Sequence, residues 1–148
     1  MKRVYPDKEY CIGCHLCELA CTTAHSESKD LILAYTQERT EKGLSPCKRV
    51  FEKGNLCVAI SCRHCDEPSC VAACISGGLR KDPETGQTVY DRDKCVGCWS
   101  CLMACPYGAI RRHPVDNKIV KCDLCQDRED GPACVAACPN QALKYEER

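Results

Sequence analysis

The sequence predicts an α+β fold of short helices and hairpins packed around inorganic cofactors, and three observations predict it. Eighteen cysteines occur in 148 residues, far above ordinary usage. One Phe, one Trp and six Tyr fill little interior, and small chains with poor cores need staples such as metals. The octet PSCVAACI at residues 68–75 returns as PACVAACP at 132–139, which marks internal duplication. The length suits one compact unit, 1–148, built of two closely joined halves.

In a secreted chain this cysteine density reads as a disulfide scaffold. The start, MKRVYPDKEYCIGC, has no apolar signal region and no twin-arginine leader, and no long apolar run follows it; these features predict a cytoplasmic protein without direct membrane insertion. Disulfides are rare there, and clustered cysteines bind metal. The formal net charge of +0 counts thiols as neutral. Four cubane clusters on sixteen thiolates make the loaded chain roughly −8, which argues against nucleic acid as a partner. The only basic concentration, IRRHPVDNKIVK at 110–121, reads as a solvated hairpin or a docking edge.

The elements follow from four cysteine groups. The first is CIGCHLCELAC, with Cys11, Cys14, Cys17 and Cys21. Its C-x2-C-x2-C places three sulfurs on one tight loop, converging on three corners of a cube. The fourth cysteine, after three intervening residues, is expected to open a helix and face a neighbouring cluster, as in the C-x2-C-x2-C-x3-C-P run of iron-sulfur proteins. After it, SKDLILAYTQERTEK predicts a helix and CKRVFEKGNLCVAIS a hairpin. The length of this connection makes 22–57 the expected place for partner-specific surface.

The second group, CRHCDEPSCVAAC, holds Cys62, Cys65, Cys70 and Cys74; the third, CVGCWSCLMACP, repeats the first spacing with Cys95, Cys98, Cys101 and Cys105. The fourth, CDLCQDREDGPACVAACP, holds Cys122, Cys125, Cys134 and Cys138 and repeats the second. Hairpins are predicted between them, in GLRKDPETGQTVYDRDK and AIRRHPVDNKIVK, because each carries a turn signal between two extended runs. The order A-B-A-B leaves two pairings open, neighbours with neighbours or nested.

Zinc takes separated C-x2-C pairs in a tetrahedral site; four sulfurs within eleven residues favour iron-sulfur clusters instead. Cys47 and Cys57 fall outside the groups and read as small structural thiols. His64 reads as a ring covering a cluster loop or a donor to sulfur, Trp99 as a shield against water, and His15, His25 and His113 as surface residues. Ile75 stands where the other copy has Pro139. It is expected to cover Cys74 and to offer an N–H that proline lacks. Carboxylates are scattered, and no phosphate loop or nucleophile-base set stands apart from the cysteines, so no catalytic residue is predicted.

The four groups in this order, with Cys-Arg-His-Cys-Asp-Glu-Pro at 62–68, resemble the four-cluster ferredoxin-type subunits of molybdenum and tungsten oxidoreductases, hydrogenases and carbon monoxide dehydrogenase. Cys-Val-Gly-Cys-Trp at 95–99, Cys-Pro-Tyr-Gly-Ala-Ile-Arg-Arg at 105–112 and the Ser-Gly after Cys74 are similar to the CooF-type proteins of carbon monoxide dehydrogenase systems. The resemblance implies two ferredoxin-like dicluster modules and four [4Fe-4S] clusters with nested ligands. Cys11, Cys14 and Cys17 would share a cluster with Cys138, and Cys122, Cys125 and Cys134 with Cys21. Cys62, Cys65 and Cys70 would go with Cys105, and Cys95, Cys98 and Cys101 with Cys74. Module one is then 1–21 plus 113–148, and module two 58–112. Cys21 and Cys74 lack the following proline of the ferredoxin run, and the chain stops at ALKYEER, short of the longer membrane-docking relatives.

The expected function is electron transfer between a catalytic partner and an acceptor such as a flavoprotein or hydrogenase. The favoured catalytic partner is carbon monoxide dehydrogenase, followed by a tungsten or molybdenum aldehyde or formate oxidoreductase. A free polyferredoxin and a structural metal-binding module are the other readings.

Overall fold

A computed structural model describes all residues 1–148. It contains four separate two-stranded antiparallel ribbons and several short helices. Strand β1 (Arg3–Pro6) pairs with β8 (Leu143–Glu146), so the two ends of the chain meet, with Arg3 opposite Glu146 and Pro6 opposite Leu143. The other ribbons are local hairpins. These are β2 (Arg49–Lys53) with β3 (Leu56–Ile60), β4 (Leu79–Lys81) with β5 (Thr88–Tyr90), and β6 (Arg111–Arg112) with β7 (Ile119–Val120). All three lie where the turn signals place them.

The β4–β5 turn shows why. Asp82 accepts from the Glu84 N–H at 3.1 Å and the Thr85 hydroxyl at 2.5 Å, and Gly86 takes φ +70. The aspartate thus folds its own backbone, and glycine supplies the left-handed residue.

Helix α1 (Leu16–Ala24) carries Cys17 and Cys21, and α5 (Ser100–Ala104) carries Cys101, with Cys105 at its C-terminal end. Helices α4 (Ser69–Ala72) and α6 (Ala133–Ala136) carry Cys70 and Cys134. The expectation that the fourth cysteine opens a helix is corrected. His15 and Trp99 adopt left-handed φ of 60 and 63, ending the cysteine loop one step earlier, so the helix starts before the third cysteine. In the B groups Pro68 and Pro132 hold the extended position ahead of the helix, again putting the third cysteine on it.

The helix expected in 28–42 forms as a continuous helical run, 31–41. Helices α2 (Leu31–Leu33) and α3 (Arg39–Glu41) flank a π-helical turn, Ala34–Glu38. Asp30 caps it by accepting from the Leu33 N–H at 2.9 Å. Glu38 turns back to accept from the backbone N–H groups of Glu27 and Ser28 at 2.8 and 3.0 Å. Ser28, by its side chain foremost and then its N–H, together with the Glu27 N–H, holds its carboxyl down at about 2.

None of these helices reaches the roughly 12–15 residues an isolated helix needs, and two-stranded ribbons are marginal alone. Tertiary packing holds them. One core gathers Val4, Val50, Ala59, Leu124 and Leu143 around Cys17, Cys62, Cys122 and Cys134; a second gathers Leu79, Ile110 and Ile119 around Cys70 and Cys101. Sulfur supplies much of both, as the shortage of aromatic residues requires.

Candidate metal centres

The helices that carry cysteines pack in two pairs, α1 against α6 and α4 against α5. The first cysteine group therefore lies beside the fourth, and the second beside the third. Cys11, Cys14, Cys17 and Cys138 line one cavity. Cys74, Cys95, Cys98 and Cys101 line another, and Cys62, Cys65, Cys70 and Cys105 a third. The remaining four are linked electrostatically. Burial drives the Cys134 thiol up to about 11, opposed by the Lys48 ammonium and reinforced by Cys21 and Cys125. Burial likewise raises Cys122, with Cys21 and Cys134 adding to it.

All eighteen cysteines are free thiols. Burial also pushes Cys17 up to about 12 and Cys101 to about 11, which disfavours bare thiolates in these positions. A soft metal reverses that penalty, because it deprotonates its thiol ligands as it binds. Iron-sulfur clusters therefore fit the donor set, four sulfurs at a time.

The sulfurs are also met by backbone donors. Leu79 N–H reaches Cys74 Sγ at 3.4 Å, Ala109 reaches Cys105 at 3.4 Å, and Ala142 reaches Cys138 at 3.3 Å. Each donor comes from the chain just beyond its cysteine. Cys21 differs, since its donor is the N–H of Cys47, 26 residues away, at 3.3 Å. The N–H that reaches Cys74 Sγ is thus Leu79's, not that of Ile75. Ile75 is 77% exposed and gives no apolar cover, because the chain turns outward after α4.

Three groups that sequence reasoning undervalued stand close to these sulfurs. His25 is half-buried rather than a surface residue. Its Nδ1 lies 2.7 Å from the Cys21 carbonyl and 3.8 Å from Cys21 Sγ, and its Nε2 lies 3.0 Å from Asp123. The Asp123 carboxylate, and then Cys21, raise His25 to about 11. Cys47 holds its proton and bonds Cys21, whose thiol is held well below its ordinary value by Cys47 and then His25. The i+4 spacing from Cys21 to His25 was the available signal; nothing in the sequence brought Asp123 or Cys47 to the same place.

Lys48 is the third, 1% exposed, and it donates to the Ser61 hydroxyl at 2.9 Å. Other lysines clamp carbonyls in pairs. Lys81 holds those of His64 and Cys65, Lys118 those of Arg92 and Cys95, and Lys121 those of Thr88 and Cys122.

His64 is fully buried, and its Nδ1 accepts the Thr88 N–H at 3.1 Å. Burial, then Lys121 and Lys81, press it down to about 3, so the ring is neutral. Its Nε2 and the Thr88 hydroxyl are buried without a partner. Thr88 lines the cavity of Cys62, Cys65, Cys70 and Cys105. Orphaned polar atoms in a buried place call for an acceptor there, and cluster sulfur is one. Trp99 lines the cavity of Cys74, Cys95, Cys98 and Cys101, under the Arg112 guanidinium at 4.2 Å.

Gly97 is needed between Cys95 and Cys98. It takes φ +72, and a Cβ there would lie 2.4 Å from the Asn117 carbonyl in the β6–β7 turn. The exposed cysteines are Cys14 and Cys98, at equivalent places in the two A groups, beside Ile12 and Val96 at 63% and 64% exposure. No helix is long and apolar enough to cross a membrane.

Residues 54–148 match the family described as the 4Fe-4S dicluster domain. The electron transport protein HydN of Escherichia coli K12 is 36% identical, over 95% of this chain and 85% of that protein. The B subunit of the anaerobic dimethyl sulfoxide reductase of the same strain is 36% identical, over 94% and 70%. Among solved structures, the active site complex BamBC of benzoyl coenzyme A reductase with zinc covers 100% of this chain and 79% of its own, at 25% identity and TM-score 0.50. The cysteines in their clustered motifs fit four [4Fe-4S] clusters. Family, relatives and cysteine geometry agree, and the chain belongs to the 4Fe-4S dicluster domain family of ferredoxin-type electron-transfer proteins.

Proposed function

We propose that the chain is a cytoplasmic electron-transfer protein, without a substrate site of its own, that holds four [4Fe-4S] clusters in two modules. The observation that carries this reading is the pairing of α1 with α6 and of α4 with α5. That pairing supports nested ligands: Cys11, Cys14, Cys17 and Cys138; Cys21, Cys122, Cys125 and Cys134; Cys62, Cys65, Cys70 and Cys105; Cys74, Cys95, Cys98 and Cys101. Modules of 1–21 with 113–148, and of 58–112, follow. Each cluster passes one electron at a time, at a potential set by charge, exposure and hydrogen bonds to sulfur.

The exposure of Cys14 and Cys98 supports a relay whose two ends lie at the A-group loops. The inner pair then joins the modules. Leu31, Ile32 and Leu33, exposed at 47%, 70% and 41%, supply partner-specific surface in 22–57.

The favoured source of electrons is a carbon monoxide dehydrogenase, and the acceptor a flavoprotein or hydrogenase. A second reading, a subunit of a molybdenum or tungsten oxidoreductase acting on an aldehyde or formate, draws support from the likeness to the B subunit of dimethyl sulfoxide reductase. The test mixes the anaerobically purified chain with trace carbon monoxide dehydrogenase and follows its visible absorption. Bleaching that depends on carbon monoxide supports the first reading. Bleaching only by an aldehyde or formate oxidoreductase moves the assignment to the second. No bleaching even with dithionite defeats electron transfer altogether.

A further inference from the structure

The 22–57 segment buries two charged side chains, Glu38 and Lys48, and Glu38 is satisfied by backbone N–H groups. Lys48 precedes β2, is 1% exposed, and has a single hydrogen bond, to the neutral Ser61 hydroxyl. Lysines elsewhere that form ion pairs, Lys42, Lys94 and Lys144, do so with Glu27, Asp91 and Asp7; no carboxylate pairs with Lys48. Lys121, the other buried lysine, spends its charge on two carbonyls, at 2.5 and 2.8 Å. An ammonium has three donors, and burying one costs far more than a single neutral hydrogen bond returns. Two N–H groups of Lys48 therefore need acceptors in this core.

Sulfur is a candidate close at hand. Cys47, the preceding residue, has its N–H on Cys21 Sγ, and Ser61 precedes Cys62. Val50, two residues beyond Lys48 and so on the same side of the strand, packs in one buried core with Cys17, Cys122 and Cys134. These three belong to the two ligand sets of module one.

We propose that Lys48 is the internal counter-ion of module one, donating charge-assisted N–H···S bonds to its iron-sulfur clusters and raising their potential. The inference rests on the four-cluster reading. A cluster gains a negative charge when reduced, so a fixed positive charge beside it favours the reduced form. The 22–57 segment thus sets the potential of module one from within. Lys48 is a tuning group and forms no bond to iron.

The test is a redox titration by electron paramagnetic resonance on the fully loaded chain and on Lys48→Met, which keeps most of the side chain's length and removes the charge. Module-one signals are identified as those altered by Cys138→Ser or by Cys21→Ser, one for each of its clusters. At least a tenfold loss of electron occupancy at a module-one cluster is expected, equal to about 59 mV for one electron, with module two unmoved. Four unchanged midpoints, or a shift confined to module two, overturn the proposal. If Lys48→Met does not load, the wild-type chain grown with 15N-lysine decides, since a hyperfine coupling from lysine nitrogen to a reduced module-one cluster supports the proposal and its absence refutes it. A wild-type chain that holds no clusters defeats the four-cluster reading instead.

Discussion

Cys21 and Cys105 close two loops of identical spacing, C-x2-C-x2-C-x3-C, yet they lie in different surroundings. Cys105 ends its helix and takes an N–H from Ala109, four residues on. Cys21 lies inside a nine-residue helix that runs on to Ala24, so its chain cannot turn back to supply a donor. The donor comes from Cys47, and with it come His25, Asp123 and Lys48. Spacing decides which sulfurs can meet. What surrounds them is decided by residues far away, and it is there that the two modules part.

The largest effect tests the crossing that both modules share. Cys74→Ser removes a sulfur from the cavity of Cys95, Cys98 and Cys101, so the cluster disturbed should be that one. Loss of the Cys62, Cys65 and Cys70 signal instead would break the nested account, and spectroscopy of the single variant reads the difference.

A smaller effect sets a hydroxyl in module two against the Lys48 charge in module one. Thr88→Val should lower the midpoint of the cluster at Cys62, Cys65, Cys70 and Cys105 by less than Lys48→Met lowers module one, because a neutral hydrogen bond is about half as strong as a charge-assisted one. A larger shift in Thr88→Val would reverse the comparison. Redox titration of both variants decides.

The 22–57 segment supplies the next prediction, through pH. Glu38 has a folded value of about 2, below its ordinary 4.5, because Ser28 and Glu27 donate to it. A depressed carboxyl stabilises above its unfolded value and loses that contribution as pH falls through its folded one. Glu38→Gln should therefore melt below the wild type at pH 7, with the gap narrowing below about 4.5 and closing toward 2. Parallel melting temperatures at every pH would show that the segment is held by something else.

The smallest effect is Ile75→Pro. Since Leu79 supplies the N–H on Cys74 Sγ and Ile75 faces solvent, the adjoining midpoint should stay within a few millivolts of wild type, on a scale where about 59 mV is tenfold. A clear fall in the titration would restore Ile75 as a donor.

The hairpins and the local loops were legible because they depend on near neighbours. Asp-Pro-Glu-Thr-Gly folds itself through Asp82, and C-x-G-C needs Gly97 for its φ of +72, although the Asn117 carbonyl that also excludes a Cβ there comes from the distant β6–β7 turn. His25 could be placed beside Cys21 by its i+4 spacing. Cys47, Lys48 and Asp123 could not, since their meeting depends on how 22–57 folds back over α1. The helix starts were misplaced for a local reason: His15 and Trp99 adopt left-handed backbone, a state that costs about 1–3 kcal/mol outside glycine and that neither residue type advertises.

The account stands most directly on one count. Anaerobic iron and acid-labile sulfide analysis, with Mössbauer spectroscopy of the same sample, should give about sixteen irons per chain, all in [4Fe-4S] centres. About eight irons with half of the grouped cysteines open to alkylation, or bound zinc in place of iron, would contradict it.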